Sequence, residues 1–69
     1  MRLELRLKEL LRERGMEQKD LVELTGLTTR TISEMANNKL KRYPKDALEK
    51  IMVALDLHEP NELFRTSKD

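Results

Sequence analysis

Five polar side chains recur at helical spacing between residues 29 and 37: Thr29, Arg30, Ser33, Glu34 and Asn37. At roughly 100° per residue they share one side of a helix, opposite Thr31, Ile32, Met35 and Ala36. The polar side carries hydroxyls, an amide, a carboxylate and a guanidinium, and no bulky apolar group. Such a face can hydrogen-bond to the edges of base pairs in a DNA major groove. Arg30 is the expected base contact, since a bidentate guanidinium–guanine pair gives ~1–3 kcal/mol of discrimination. The competing use of Arg30 is an ion pair with Glu34 one turn on, worth about 0.2–0.5 kcal/mol. Both uses hold together if Glu34 orients Arg30 or itself accepts from cytosine. Thr29, Ser33 and Asn37 would add base or phosphate contacts.

Basic side chains follow this face at once. The run Asn37-Asn38-Lys39-Leu40-Lys41-Arg42-Tyr43-Pro44 supplies three cations that can straddle a phosphate backbone, Lys39, Lys41 and Arg42. Asn38 is grouped with them as a candidate contact, although an Asn here also tolerates the left-handed conformation that ends a helix. Tyr43 can donate its hydroxyl to a phosphate or simply pack; packing is the blander use. The net charge of +1 hides a strong segregation. Residues 1 to 27 are neutral overall, residues 28 to 45 carry +4, and residues 46 to 64 carry −4. Positive charge on and just after the candidate reading helix is the footprint of a phosphate-binding edge. The alternative is an ordinary solvated surface in a chain that is 39% charged.

The elements that must hold this face begin at Gln18. A helix with Leu21 and Leu24 as its apolar stripe, Val22 beside them, is expected to stop at Gly26, where a positive φ costs only glycine nothing. Leu27 plugs the angle, and the Thr28 hydroxyl caps the next helix, Thr29 to Asn37. Two helices around so short a turn, over Gln18 to Met35, form a helix-turn-helix. Here the chain resembles the Cro and phage-repressor type of helix-turn-helix domain, the XRE family. Leu7-Lys8-Glu9-Leu10-Leu11, Gln18-Lys19-Asp20-Leu21, Thr25-Gly26-Leu27-Thr28, Thr31-Ile32-Ser33, Asn37-Asn38-Lys39, Ala47-Leu48-Glu49-Lys50-Ile51 and Leu55-Asp56-Leu57 carry the likeness. It covers about residues 6 to 64. The chain departs from it at Val22, where the family usually has Ala, and at Thr25, where it often has an apolar residue.

The resemblance implies an all-α, five-helix, lambda-repressor-like domain that binds duplex DNA. It also implies that Gln18, at the start of its helix, reaches a phosphate; without it, Gln18 is equally an exposed helix former. Thr28 joins the implied contact set as the cap at the start of the reading helix, about residues 28 to 37. The rest of the chain reads as follows. Leu3 and Leu5 alternate with charges, so a strand over Met1 to Leu5 is favoured over an early start of helix 1. Its partner is expected in Leu63-Phe64-Arg65-Thr66 or in the same strand of a second subunit. Helix 1 runs from Leu7 to about Arg14, with Gly15 as its stop and Met16 filling a gap behind it. Glu17 and Asp20 suit the positive start of helix 2. Leu40 tucks into the core. Pro44 opens a helix 4 that buries Leu48, Ile51, Met52 and Leu55, and Leu57 caps the core. Glu59-Pro60-Asn61-Glu62-Leu63 is expected as a short fifth helix, and Ser67-Lys68-Asp69 as a frayed end.

Length and composition bound the rest. Sixty-nine residues are read as one domain with a small core. No cysteine is present to staple it, which fits a reducing compartment. No membrane span or signal-like apolar stretch is read, so a cytoplasmic protein is expected; the resemblance implies a prokaryotic, phage or plasmid origin. Catalysis is not expected. His58 is the one histidine, the helix hydroxyls lack a neighbouring base, and Gly15 and Gly26 are the only glycines. Neither cofactor, metal nor small-molecule effector is expected. The expected function is sequence-specific binding of double-stranded DNA by a small transcriptional regulator, a repressor acting by steric occlusion, as a homodimer on a two-fold site. A protein-interaction or antitoxin-like module is the alternative, with Leu3, Leu5, Val53 and Phe64 as its candidate apolar surface. RNA binding ranks last, because one Tyr and one Phe make a poor stacking platform.

Overall fold

The computed structural model describes residues 2–67. In chain order they form β1 (Arg2–Leu5), α1 (Leu7–Glu13), α2 (Gln18–Thr25), α3 (Thr29–Ala36), α4 (Lys45–Ala54), a single 3-10 turn (Pro60–Glu62) and β2 (Phe64–Ser67). The expected five-helix, all-α architecture is therefore corrected. Among the described residues there are four α-helices and a two-stranded sheet. The expected fifth helix is only the 3-10 turn. Leu63 after it is fully buried, and the chain then straightens into β2. β1 and β2 pair antiparallel, Leu5 opposite Phe64 and Leu3 opposite Thr66. The pairing is within one chain. Ser67, expected to fray, pairs with Arg2; Met1, Lys68 and Asp69 lie outside the described residues.

Each element stops where its residues require. Gly15 and Gly26 have φ of +64° and +76°. An L side chain there would be strained even in open space, and nothing lies within 4 Å of either would-be Cβ. Asn38 and Asp56, at φ of +56° and +54°, take the same left-handed conformation, which short polar side chains tolerate best. Asp20 closes the start of α2, its carboxylate accepting from the Glu17 N–H at 2.8 Å. Pro44 is the residue before α4 rather than its first helical residue; its carbonyl accepts from Leu48.

One apolar cluster joins all the elements. Leu7, Leu21, Ile32, Met35, Ile51 and Leu63 have no exposed surface, and Leu5, Leu10, Leu11, Ala36, Ala47, Leu55 and Leu57 are buried around them. Each large side chain contributes about 1.5–3 kcal/mol of transfer free energy. In α4 the buried line is Ala47, Ile51 and Leu55, with Leu48 and Met52 only partly covered. In α2 the expected apolar stripe is corrected: Leu24 is 61% exposed, and Thr25 takes the inner position beside Leu21. Both are one turn from Leu21, and packing chose the residue four places on. Thr25 is tolerated inside because its hydroxyl donates to the Leu21 carbonyl at 2.6 Å and accepts from the Leu27 N–H at 3.1 Å.

The chain ends are tied to the helices by arginines. The Arg6 guanidinium donates to the Glu62 carbonyl at 3.0 Å, and its backbone N–H to the Leu63 carbonyl at 2.7 Å. Arg65 pairs with Glu4 across the strands and with Glu9 on α1. Arg14 donates to the Leu55 carbonyl at the end of α4, at 3.1 Å. Tyr43 meets Phe64 edge-on, ring centres 6.3 Å apart.

Candidate nucleic-acid interface

The turn between α2 and α3 sets where the polar face points. α2 ends on Gly26 in the left-handed conformation, whose N–H donates to the Val22 carbonyl at 2.9 Å. Leu27 is half-buried in the angle. The Thr28 hydroxyl accepts from the Thr31 N–H at 3.1 Å and so caps α3. Ile32, Met35 and Ala36 then enter the core. Their burial fixes the roll of the helix and leaves Thr29, Arg30 and Asn37 exposed, with Ser33 and Glu34 partly so.

In the free protein this face is paired with itself. Arg30 reaches Glu34 at 3.3 Å, although the Arg30 side chain remains 87% exposed. The Asn37 amide donates to the Ser33 carbonyl at 2.9 Å and lies 3.4 Å from its hydroxyl. The Thr28 hydroxyl donates to that of Thr31 at 2.9 Å. Such solvated contacts are worth little and exchange readily for bonds to another molecule. Arg30 thus makes the ion pair that competes with base contact, in a geometry that leaves the guanidinium accessible.

The cations that follow α3 up to the start of α4 are on the surface. Lys39, Lys41, Arg42 and Lys45 are exposed, as is Arg30. Glu34 is the one carboxylate in the 28 to 45 segment. Gln18, the first residue of α2, is half-buried, in a first turn whose capping box is made by Glu17 and Asp20.

Two of the candidate contacts also hold the fold together. The Asn38 amide turns inward: its oxygen accepts from the Leu5 N–H at 2.7 Å, and its nitrogen donates to the Leu5 carbonyl at 3.1 Å. The Tyr43 hydroxyl donates to the same Asn38 oxygen at 3.2 Å. Asn38 therefore occupies the edge of β1 that β2 leaves open, and Tyr43 closes over it. Burial, then the nearby Glu4 carboxylate, raises the Tyr43 pKa above its ordinary value. In the free protein both side chains spend their hydrogen bonds within the fold. Together they anchor both ends of the Lys39–Arg42 loop to the sheet. The sequence signal for this was present only in part: an Asn at a helix end announces positive φ, not the direction of its amide.

Among the described residues no three His, Asp or Glu side chains gather to hold a metal ion. His58 is exposed and lies 3.7 Å from Asp56. No helix among the described residues is long and apolar enough to cross a membrane. Comparison with known proteins adds one finding. A family model for the Cro/C1-type HTH DNA-binding domain matches residues 6–69. No curated protein and no solved structure matches the chain.

Proposed function

This chain belongs to the Cro/C1-type helix-turn-helix DNA-binding family, and we propose that it is a sequence-specific transcriptional regulator of the cytoplasm. It lays α3 in the major groove of duplex DNA, with Arg30 and Glu34 reading bases and Thr29, Ser33 and Asn37 adding base or phosphate contacts. Gln18, Thr28, Lys39, Lys41 and Arg42 hold the phosphates on either side. Asn38 and Tyr43 position that loop. The domain represses by occluding its site, and does so as a homodimer, because one helix reads too few base pairs for selectivity. The observation that carries this reading is the exposed polar face of α3 running directly into exposed Lys39, Lys41, Arg42 and Lys45.

A second reading, a partner-binding module on the same fold, draws support from three exposed large apolar residues: Leu3, Leu24 and Val53. Of its expected surface, Leu5 is buried and Phe64 half-buried, so only Leu3 and Val53 remain. Selection of bound duplexes from a randomised library at near-physiological salt separates the two. Enrichment of a two-fold motif with half-sites about one helical turn apart supports the regulator. Absence of any enriched motif favours the module.

A further inference from the structure

A cavity of about 380 Å³ opens where α1, the sheet and the end of α3 meet. Lys8 and Arg12 line it from α1, and Asn37 and Asn38 line it from the end of α3. Asn37 is one of the proposed DNA contacts, so the cavity borders the polar face of α3. Residues 1 to 27 are neutral by count, but the fold redistributes that charge. Arg65 arrives from β2 and pairs with Glu4 and Glu9, while Arg6 pairs with Glu9 and Glu13. Lys8 and Arg12 are left over. Both are exposed, and among the described residues no ion pair or hydrogen bond engages either side chain.

The cavity therefore carries a surplus of positive charge, four cations against the Glu4 and Glu9 carboxylates. Lys8 and Arg12 stand four residues apart on one helix, so they share a face, with Cβ atoms about 5–6 Å apart. Like charges at that spacing repel in the free helix, and an anion set between them turns the repulsion into attraction. We propose that Lys8 and Arg12 hold a backbone phosphate of the bound duplex, beside Asn37 at the end of α3. The inference rests on the reading of α3 as the groove-binding helix and adds a second element, α1, to its phosphate contacts. The Lys39–Arg42 loop then holds the backbone from one element and α1 from another, which fixes the register of α3 in the groove. The occupant is a duplex phosphate and not a small free anion. Both unpaired cations are exposed next to a DNA-contacting residue, as contact with a long polyanion requires. None of the charged side chains lining the cavity is buried, as enclosure of a small ion would require.

The test titrates the full chain against a selected duplex over a range of salt concentrations. Lys8→Ala and Arg12→Ala are each expected to lower the slope of log affinity against log salt by ~1, and the double variant by ~2. Random duplex is expected to show the same losses, since phosphates carry no sequence information. Lys50→Ala makes the same charge change at an exposed position of α4 and is expected to leave the slope unchanged. Thermal melts of all these variants are expected to match wild type, because each position is exposed. Methylphosphonate substitution, one phosphate at a time, then locates the contact. One neutralised phosphate is expected to weaken the wild type and to leave the double variant unaffected. A double variant with the wild-type slope, or a Lys50→Ala loss of equal size, overturns the assignment. So does saturable binding of inorganic phosphate that the double variant lacks, with the duplex slope unchanged; the cavity is then a free-anion site. A wild type that binds its selected duplex without the α1 contribution sinks this inference alone. A wild type that selects no duplex sinks the reading of α3 as well.

Discussion

The side-chain amide of Asn38 makes the two backbone hydrogen bonds that a neighbouring strand would make to Leu5, 2.7 and 3.1 Å long, across 33 positions of sequence. One residue thus ends α3 and completes the sheet edge. Two properties of Asn are in use, its tolerance of φ near +56° and its paired donor and acceptor. They can be separated. Asn38→Gly keeps the conformation and removes the amide, leaving Leu5 unpaired; a loss of about 1–3 kcal/mol is expected. Asn38→Ala adds the left-handed strain of a Cβ, about 1–2 kcal/mol more. Urea unfolding of both variants checks the order. Equal stabilities for the two would remove backbone strain from the account.

Tyr43 gives this junction a pH dependence. Its pKa is raised in the folded state, first by burial and then by Glu4. The folded protein therefore holds the phenolic proton more tightly than the unfolded chain does. The stability contribution is complete below the unfolded value near 10 and is lost as pH rises through the higher folded value. Ionisation also removes the donor to Asn38. Tyr43→Phe is expected to cost about 0.5–1.5 kcal/mol at neutral pH and to flatten the fall in stability above pH ~10. Thermal melts from pH 8 to 11 read both effects. An alkaline limb identical in the two proteins would place its cause elsewhere.

What was legible in the sequence follows which signals are local. Gly26, the Thr28 cap and the Ile32, Met35 and Ala36 stripe are written within a few residues, and the helix-turn-helix sits where they put it. The β1 alternation is equally local, and its partner β2 overlaps the candidate stretch Leu63 to Thr66, shifted by one residue to Phe64–Ser67. The missed features depend on residues far apart. That Thr25 and not Leu24 turns inward is decided by α4 packing on α2. That Asn38 turns away from solvent is decided by the arrival of Leu5. Residues 59–63 carry a helix-start signal, but burial of Leu63 and the pull of β1 leave room for one turn only.

The reversal at Leu24 and Thr25 is itself measurable. Thr25→Val keeps the volume but strands the Leu27 N–H that the hydroxyl satisfies, an expected loss of about 1–3 kcal/mol. Leu24→Ala removes a side chain already 61% exposed and should change protomer stability by under about 0.5 kcal/mol. The ranking opposes a hydropathy argument, by which the leucine is the costlier loss. Chemical denaturation at low protein concentration, where the protomer alone is populated, decides it.

Arg30 and Lys41 divide specificity from affinity. Arg30 is held 3.3 Å from Glu34 on the exposed face of α3, and its ion pair is worth only about 0.2–0.5 kcal/mol to the helix. Arg30→Ala should therefore leave the fold intact. It should erase a base preference of ~1–3 kcal/mol at one position of each half-site. Lys41, exposed on the loop that Asn38 and Tyr43 anchor, reads no base in this scheme. Lys41→Ala should weaken selected and random duplexes alike and lower the slope of log affinity against log salt by ~1. Glu34→Gln completes the set: it frees Arg30 from its partner while keeping an acceptor at that position. A changed base preference in this variant would show that the ion pair orients Arg30 on DNA; an unchanged one would leave Glu34 as a bystander. Titrations of the three variants against matched and scrambled duplexes at two salt concentrations resolve these outcomes. Loss of equal size for Arg30→Ala on both duplexes would move Arg30 to the phosphate backbone and leave base readout to Thr29, Ser33, Glu34 and Asn37.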